Sequence, residues 1–592
     1  MTWNMVTDPC GNVYLSALLA ALPLLFLLWA FGIKRMKGHH ASLIGTPLAI
    51  VVAIVAFGMP VKLALLATFQ GVLFGLWPVA WIVVSAVFLY NVSVQTGQFE
   101  IIKNSLAAIS DDRRLQALLI AFSFGAFLEG AAGFGAPVAI TGAMLVGLGF
   151  EPLYAAGLCL IANTAPVAWG AIGIPIVVAG QVSGIDPMVV SQMVGRTLPF
   201  LSVTIPFYLV ILMAGFKKGF EVWPAALVSG LSFAIAQWIS SNYLSPLLPD
   251  VIASIVSIIC LTIFLKFWHP KTSWRFASEA VSQGKESLRY TGGQIVRAWM
   301  PFVILSIFVG AWGIASVKTV LDRLVLVQWT IPGLNKAIID LAGKPKPAIY
   351  AWNILSAAGT GILLSALVSM PVMGASFATA ARTFGKTLKT LRFSVLNISL
   401  MLGLAYIMTS SGMANSLGNA LAATGAVFPF LAPFLGWMGV LMTGSDTSAN
   451  ALFGKLQEAT ASKLGIDPVI TVAANTSGGV CGKMISPQSL AVSTAAVGLV
   501  GKESDIFRFT FKHSLILTAV IAAMAYGHSN VLKFLVPVYA KGAAVAKAAA
   551  PSAAAGLTLL AVFVGVSVVL ACIAIAVGRA RSAEASVKVT VA

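Results

Sequence analysis

Two carboxylates stand alone within long apolar stretches of this sequence. Glu129 lies in the run FLEGAAGFGAPVAI, and Asp446 lies in the run TGSDTSANALFGK. A charged side chain in the middle of a membrane helix costs at least about 2.5–3.5 kcal/mol, so such residues indicate a functional site. The chemistry that suits a carboxylate there is reversible proton binding, because a neutral carboxyl can accompany a substrate through the membrane.

Both carboxylates could instead be structural. Backbone N–H groups of a hairpin could satisfy Glu129, and the hydroxyls of Ser445, Thr447 and Ser448 could hydrogen-bond to Asp446. We expect Glu129 to be the principal proton-coupling residue, with Asp446 as the second candidate.

A polar pattern occurs twice, far apart along the chain. The first copy starts at Asn163 and Thr164, and the second starts at Asn475, Thr476 and Ser477. In each copy a glycine follows the asparagine by seven residues and a proline by twelve. Where a helix unwinds at glycine or proline, free N–H groups and the positive end of the helix dipole are exposed. We therefore expect these five residues to bind the carboxylate and hydroxyl of a small acid; ordinary capping and contacts between helices are the alternative.

Three further residues complete the predicted site. Lys483 is the one cation inside an interrupted segment, and it could neutralise a bound anion or pair with Asp446. Both interpretations stay open at this point. Gly133 and Gly135 follow Glu129 in a stretch where the backbone is expected to be irregular. Irregular backbone at membrane depth survives only beside protein or a watered cavity, so we include both glycines among the substrate-binding residues.

The composition identifies the elements that must position these residues. The chain has 592 residues, 59% hydrophobic and 9% charged, whereas soluble domains carry about 25% charged residues. Apolar stretches long enough to span a bilayer recur along its length, which predicts an all-α polytopic membrane protein with 12–14 transmembrane helices. The net charge of +18 comes from short basic clusters between spans, which are typical of cytoplasmic loops. We therefore expect a lipid bilayer as partner and no nucleic acid.

Interrupted hydrophobic segments in matching positions of two halves are typical of transporters with repeated, broken or re-entrant helices. The sequence predicts an N-terminal transmembrane half at 1–267 and a cytoplasmic linker at 268–296. A C-terminal transmembrane half is predicted at 297–531, followed by an alanine-rich linker and a final transmembrane helix at 532–592. Whether the repeat is inverted depends on the number of spans.

The residue patterns of enzymes and metal sites do not occur in this sequence. The five cysteines and five histidines are scattered, without zinc spacing, and HExxH, GxSxG and Walker A motifs are missing. An intramembrane enzyme would need a buried nucleophile and base or a metal cluster. We therefore expect no enzyme activity, no cofactor and no metal.

Several long motifs match a known family: FGAFLEGAAGFGAPVAI (Phe124–Ile140), VAGQVSGID (Val178–Asp186), TGSDTSANALF (Thr443–Phe453), GKMISPQS (Gly482–Ser489) and GKESDIFRFTFKHS (Gly501–Ser514). They closely resemble the bacterial L-lactate permease family, which includes glycolate permeases, and the likeness covers most of residues 1–530. The resemblance implies a multi-pass protein of the bacterial inner membrane that takes up L-lactate, D-lactate or glycolate together with protons.

The paired Asn-Thr segments also look, more distantly, like the Ser-Asn-Thr hairpin tips of the divalent-anion/sodium symporters, which have inverted repeats. Ala162 and Ala474 replace the serine here, which suits proton coupling better than sodium coupling. A sodium-coupled carboxylate symporter stays the nearest alternative, and a passive channel the next. The dependence of uptake on sodium or on a pH gradient separates the first two, and accumulation against a concentration gradient excludes a channel.

Overall fold

The computed structural model describes residues 2–539, apart from short gaps at 35, 134, 277–289, 342 and 501. Up to residue 267 its helices are α1 (Val13–Gly32), α2 (Gly38–Val55), α3 (Val61–Phe74), α4 (Trp81–Gln95), α5 (Gln98–Ala107), α6 (Arg113–Gln116), α7 (Gly125–Ala131), α8 (Ala136–Gly147), α9 (Pro152–Ala162), α10 (Gly170–Ser183), α11 (Pro187–Val194), α12 (Leu198–Phe220), α13 (Trp223–Ile239) and α14 (Pro249–Phe267). Wider π-helical turns occur at Ala117–Phe124 and Ser240–Leu244, and extended backbone at Trp77 separates α3 from α4.

The remaining helices are α15 (Gly292–Gly313), α16 (Ala315–Leu324), α17 (Ala358–Met373), α18 (Phe377–Ser411), α19 (Met413–Leu421), α20 (Phe428–Thr443), α21 (Asp446–Lys463), α22 (Pro468–Lys483), α23 (Pro487–Val497) and α24 (Glu503–Asn530). The strands are β1 (Trp3–Asn4), β2 (Val327–Thr330), β3 (Ile338–Ile339) and β4 (Ile349–Trp352). β1 pairs with β3 in parallel, and β2 pairs with β4 in antiparallel orientation.

The predicted class, an all-α polytopic membrane protein, is confirmed. Within the described residues, ten helical segments are long and apolar enough to cross a membrane, or eleven if α9 and α10 together form one bent span. This count lies below the expected 12–14, because some apolar stretches form short helices such as α8 and α17. The predicted last helix lies beyond residue 539, outside the described part. Most of the predicted linker at 268–296 falls in the gap at 277–289, so the division into halves stays a prediction.

Two helical hairpins frame the centre of the molecule. In the first, the segment Arg113–Ala131 is followed by α8, and every residue of that segment is buried within the protein. In the second, α20 and α21 are joined at Gly444 and Ser445. Each hairpin packs against a helix from the other part of the chain, since α8 contacts α23 and α21 contacts α10. The hairpin ends therefore meet inside the protein and are covered by protein.

Short polar side chains start the helices around this centre. Ser445 Oγ accepts a hydrogen bond from the N–H of Ser448 at the start of α21, and Ser486 Oγ accepts one from Ser489 at the start of α23. Such caps satisfy N–H groups that have no partner within the helix. Pro487 then occupies the first position of α23, where its missing N–H costs nothing.

Glycines allow α20 and α22 to pack closely. A Cβ added at Gly436 would overlap the carbonyl of Asn475, one at Gly478 would overlap that of Pro433, and one at Gly482 would overlap that of Trp437. Small residues of this kind bring membrane helices together, because dispersion contacts replace the hydrophobic effect there.

Replacing Gly478 by alanine should therefore lower the free energy of unfolding by about 1–3 kcal/mol, the usual result of overpacking. The measurement is the apparent melting temperature of the detergent-solubilised protein. Gly385→Ala is the matched control, because nothing lies within 4 Å of its added Cβ in α18. That control should melt at or above the wild-type temperature, since alanine favours the helix. Equal melting temperatures for the two variants would contradict the close packing.

Candidate functional site

Glu129 occupies the last turn of α7 and is 2% exposed. Its Oε2 atom accepts a hydrogen bond from Asn163 Nδ2 at 3.0 Å, and its Oε1 atom accepts one from Lys483 Nζ at 2.5 Å. A Cβ at Gly170 would overlap Oε1, so the glycine gives the carboxylate its space. Both carboxylate oxygens are therefore held by side chains from outside the hairpin.

Lys483 ends α22 and pairs with Glu129 across 354 positions of sequence. Only 12% of its side chain is exposed. The interpretation that Lys483 is the ion-pair partner of Asp446 is wrong, since its nearest carboxylate is that of Glu129. Charge-assisted hydrogen bonds of this length are among the stronger polar contacts in proteins.

Asp446 starts α21 directly after the tip of the second hairpin and is 3% exposed. Its Oδ2 atom accepts a hydrogen bond from Asn450 Nδ2 at 3.3 Å, while its Oδ1 atom has no hydrogen-bond partner among the described residues. The expected bond from Ser445 is not formed, because that hydroxyl caps Ser448. A Cβ at Gly479 would overlap Oδ1, so Asp446 lies against α22 one turn before Lys483.

A cavity of about 70 Å³ lies between the two hairpin tips. This volume admits several water molecules or a compound of a few heavy atoms. The cavity is lined by five predicted site residues, Glu129, Gly133, Gly135, Asp446 and Lys483. Gln488 and Ser489 at the start of α23 also line it. Over the described residues, no group of three or more His, Cys, Asp or Glu side chains is arranged to hold a metal ion.

The predicted break at the first Asn-Thr pair is confirmed. α9 ends at Ala162, a single turn of 3₁₀ helix covers Val167–Trp169, and the two helical parts are bent by 65°. Asn163 contributes to the site through Glu129. Thr164 is fully buried, and its hydroxyl has no hydrogen-bond partner among the described residues.

The predicted break at the second pair is wrong. α22 continues without interruption from Pro468 to Lys483, and the chain leaves the helix only before Pro487. The glycines that suggested unwinding serve the close contact with α20, and α20 supports the helix there. Asn475, Thr476 and Ser477 lie within α22, away from the lining of the cavity.

Asn450, which the sequence analysis did not single out, connects these elements. Its Oδ1 atom accepts hydrogen bonds from Asn475 Nδ2 and Thr476 Oγ1, both at 2.9 Å. Its Nδ2 atom donates to the carbonyl of Pro175 at 3.1 Å and to Asp446. The residue lies one helical turn after Asp446, a spacing that could have indicated it. The amide thus ties the second hairpin to both helices that face it.

Replacing Asn475 by alanine should lower stability more than it lowers substrate affinity. Asn475 Oδ1 accepts from Gln457 Nε2 at 3.1 Å, and its Nδ2 donates to Asn450. Losing buried hydrogen bonds of this kind costs about 1–3 kcal/mol. We expect a lower melting temperature with KM for uptake within about twofold of wild type. A large rise in KM at unchanged melting temperature would place Asn475 in direct contact with substrate.

Three consecutive residues beside the site have left-handed backbone. Ala171, Ile172 and Gly173 have φ values of 47°, 60° and 68°. This conformation costs a non-glycine residue about 1–2 kcal/mol. Position 173 requires glycine for two reasons. Its φ is positive, and a Cβ there would overlap the Pro246 carbonyl. Ala171 lines the cavity, so the turn places backbone directly beside Glu129.

Comparison with known proteins gives long, consistent matches. A family described as L-lactate permease matches residues 16–532. An L-lactate permease of Bacillus subtilis strain 168 is 52% identical over 563 residues, which cover 91% of this chain and 100% of the relative. An L-lactate permease of Salmonella typhimurium is 50% identical, covering 90% and 100%. The glycolate permease GlcA of Escherichia coli K12 is also 50% identical, covering 88% and 97%.

Proposed function

The chain belongs to the L-lactate permease family, and from that premise we propose that it is a proton symporter for 2-hydroxymonocarboxylates. Its substrates would be L-lactate, D-lactate and glycolate, taken up across the bacterial inner membrane. The protein is a multi-pass membrane transporter and not an enzyme.

The ion pair between Lys483 and Glu129 carries the proposal. In the empty site the lysine ammonium is occupied by the glutamate carboxylate. A proton on Glu129 removes the negative charge and releases Lys483, which then binds the substrate carboxylate. Substrate and proton therefore favour each other's binding, and by linkage the effect is reciprocal. Charged Glu129 competes with the substrate for the same ammonium.

This exchange keeps the charge of the site constant. Before substrate binds, the Glu129 carboxylate lies beside the Lys483 ammonium. After binding, the substrate carboxylate takes this place and Glu129 is neutral. One monocarboxylate then moves with one proton, and no net charge crosses the membrane. A buried site tolerates such a cycle because an unbalanced charge in a low-dielectric interior is costly.

The substrate hydroxyl has several candidate partners near Lys483. The Gln488 side chain lines the cavity, as does irregular backbone at Gly133 and Gly135. Asn163 and Thr164 lie at the first break, whereas Asn475 and Thr476 hydrogen-bond to neighbouring helices and Ser477 is buried in α22. Asp446 is the second candidate for the proton.

The direct test is uptake of labelled L-lactate by proteoliposomes under an imposed pH gradient, alkaline inside and without sodium. Proton symport predicts accumulation above the external concentration, which a protonophore abolishes. A requirement for sodium would identify a sodium-coupled carboxylate symporter instead. Equilibration without accumulation would identify a passive channel.

A further inference from the structure

Asp250 is a buried carboxyl that the proposed cycle does not yet use. It is the second residue of α14 and is 1% exposed. Neither Oδ1 nor Oδ2 has a hydrogen-bond partner among the described residues. Glu129 accepts hydrogen bonds on both oxygens and Asp446 on one, so Asp250 differs from both.

The position of Asp250 is set by Gly130, the residue directly after Glu129. A Cβ added at Gly130 would lie 2.8 Å from the Cβ of Asp250 and 3.1 Å from the N atom of Val251. Glycine therefore lets α14 approach α7 at the point where α7 carries its carboxylate. The Asp250 carboxyl interacts electrostatically with Glu129 and with Lys483.

Glu129 and Lys483 are the charged groups that interact with Asp250. Of the other segments packed against α14, Ser240–Leu244 contains Tyr243, whereas α10, α13 and Ala117–Phe124 contain no titratable residue. α15 contains Arg297, whose Nε donates to the carbonyl of Val372. Asp250 thus shares one cation, Lys483, with the carboxyls of Glu129 and Asp446.

A carboxylate without any donor is costly in a low-dielectric interior, so the surroundings of Asp250 favour a proton on its carboxyl. One ammonium beside the three carboxyls of Glu129, Asp446 and Asp250 is balanced when two of the three hold a proton. When a substrate carboxylate takes Lys483, Glu129 in turn needs a proton. Asp250, which has no hydrogen-bond partner among the described residues and lies against Gly130 next to Glu129, is placed to supply one.

We propose that Asp250 is a second proton-binding residue of the transport cycle, which stores a proton during the Glu129–Lys483 pairing and passes it to Glu129 when substrate binds. The proposal rests on proton symport as the function. In the transfer the O–H bond of Asp250 breaks and one forms on Glu129, which leaves Asp250 as the carboxylate. Asp250 then takes a proton from the aqueous phase, which completes the balance.

The test compares two assays of full-length Asp250→Asn in proteoliposomes. We expect pH-driven accumulation of L-lactate to fall at least about tenfold, because the amide carries no exchangeable acid proton. Counterflow, in which labelled lactate exchanges for unlabelled lactate at equal pH, should stay within about threefold of wild type. Asp250→Glu, which keeps an ionisable group, should retain accumulation with a displaced pH profile.

His528→Asn is the matched control, because its Nε2 atom is also buried without a partner but lies on α24, outside this cluster. It should accumulate lactate like wild type. Wild-type accumulation by Asp250→Asn, an equal loss of both of its activities, or an unchanged pH profile for Asp250→Glu would each overturn the role of Asp250. If wild type itself shows no pH-driven accumulation in the same vesicles, the proposed symport function fails instead.

Discussion

Replacement of Lys483 by methionine should lower L-lactate uptake at least about 100-fold, in pH-driven accumulation and in counterflow alike. Methionine approximates the length of the side chain and removes the charge. Lys483 both pairs with Glu129 and, in the proposed cycle, binds the substrate carboxylate. Removing one partner of a buried ion pair costs about 3–5 kcal/mol, which corresponds to about two to three and a half decades in an equilibrium constant. The measurement is the initial rate of labelled uptake at equal amounts of reconstituted protein.

Lys455→Met is the matched control for this prediction. Lys455 forms an ion pair with Glu458 one turn away on α21, at 2.5 Å, and its side chain is 26% exposed. It does not line the cavity. Pairs of this kind contribute about 0–1 kcal/mol, so uptake should change by less than about fivefold. Normal uptake by Lys483→Met would remove the lysine from the substrate site.

The second large effect is expected for Glu129→Gln. The amide resembles a protonated carboxyl in shape and charge but cannot release a proton. Lys483 is then permanently available to substrate, so counterflow should continue and become independent of pH. Accumulation driven by a pH gradient should fall at least about tenfold. The measurement is a comparison of both assays across a pH series.

Glu458→Gln is the control, because it removes a carboxylate outside the cavity. Its pH-driven accumulation and its counterflow should both equal those of wild type. Full pH-driven accumulation by Glu129→Gln would exclude Glu129 as the proton carrier and leave Asp446 and Asp250. Loss of counterflow together with accumulation would indicate that the carboxylate is needed for folding or for substrate geometry.

The site residues that could be predicted from sequence are those that are costly to place in a membrane helix, whatever surrounds them in the fold. Glu129, Asp446 and Lys483 interrupt apolar stretches, and Gly133 and Gly135 break regular helix beside the first of them. Charged residues and irregular backbone are tolerated at membrane depth only beside protein or a water-filled cavity, so they indicate a functional site. The structure places all five around one cavity.

The parts that could not be predicted depend on contacts between distant segments. Gly482 suggests unwinding of α22, yet it is explained by the approach of α20. Asp250 begins a stretch that reads as an ordinary span, and only the position of Gly130 brings it near Glu129. The role of Asn450 likewise depends on its hydrogen bond to the Pro175 carbonyl, 275 positions away in sequence. Periodicity and spacing carry no information about such pairs.

The separation of 354 positions between Glu129 and Lys483 also constrains how the protein is made. Translation proceeds from the N-terminus, so the first hairpin leaves the ribosome long before its lysine exists. An unpaired carboxylate entering the bilayer at that stage bears about 2.5–3.5 kcal/mol of insertion free energy. The first hairpin therefore lacks its ion-pair partner until α22 has been synthesised. Its final assembly has to follow the arrival of α22, late in synthesis.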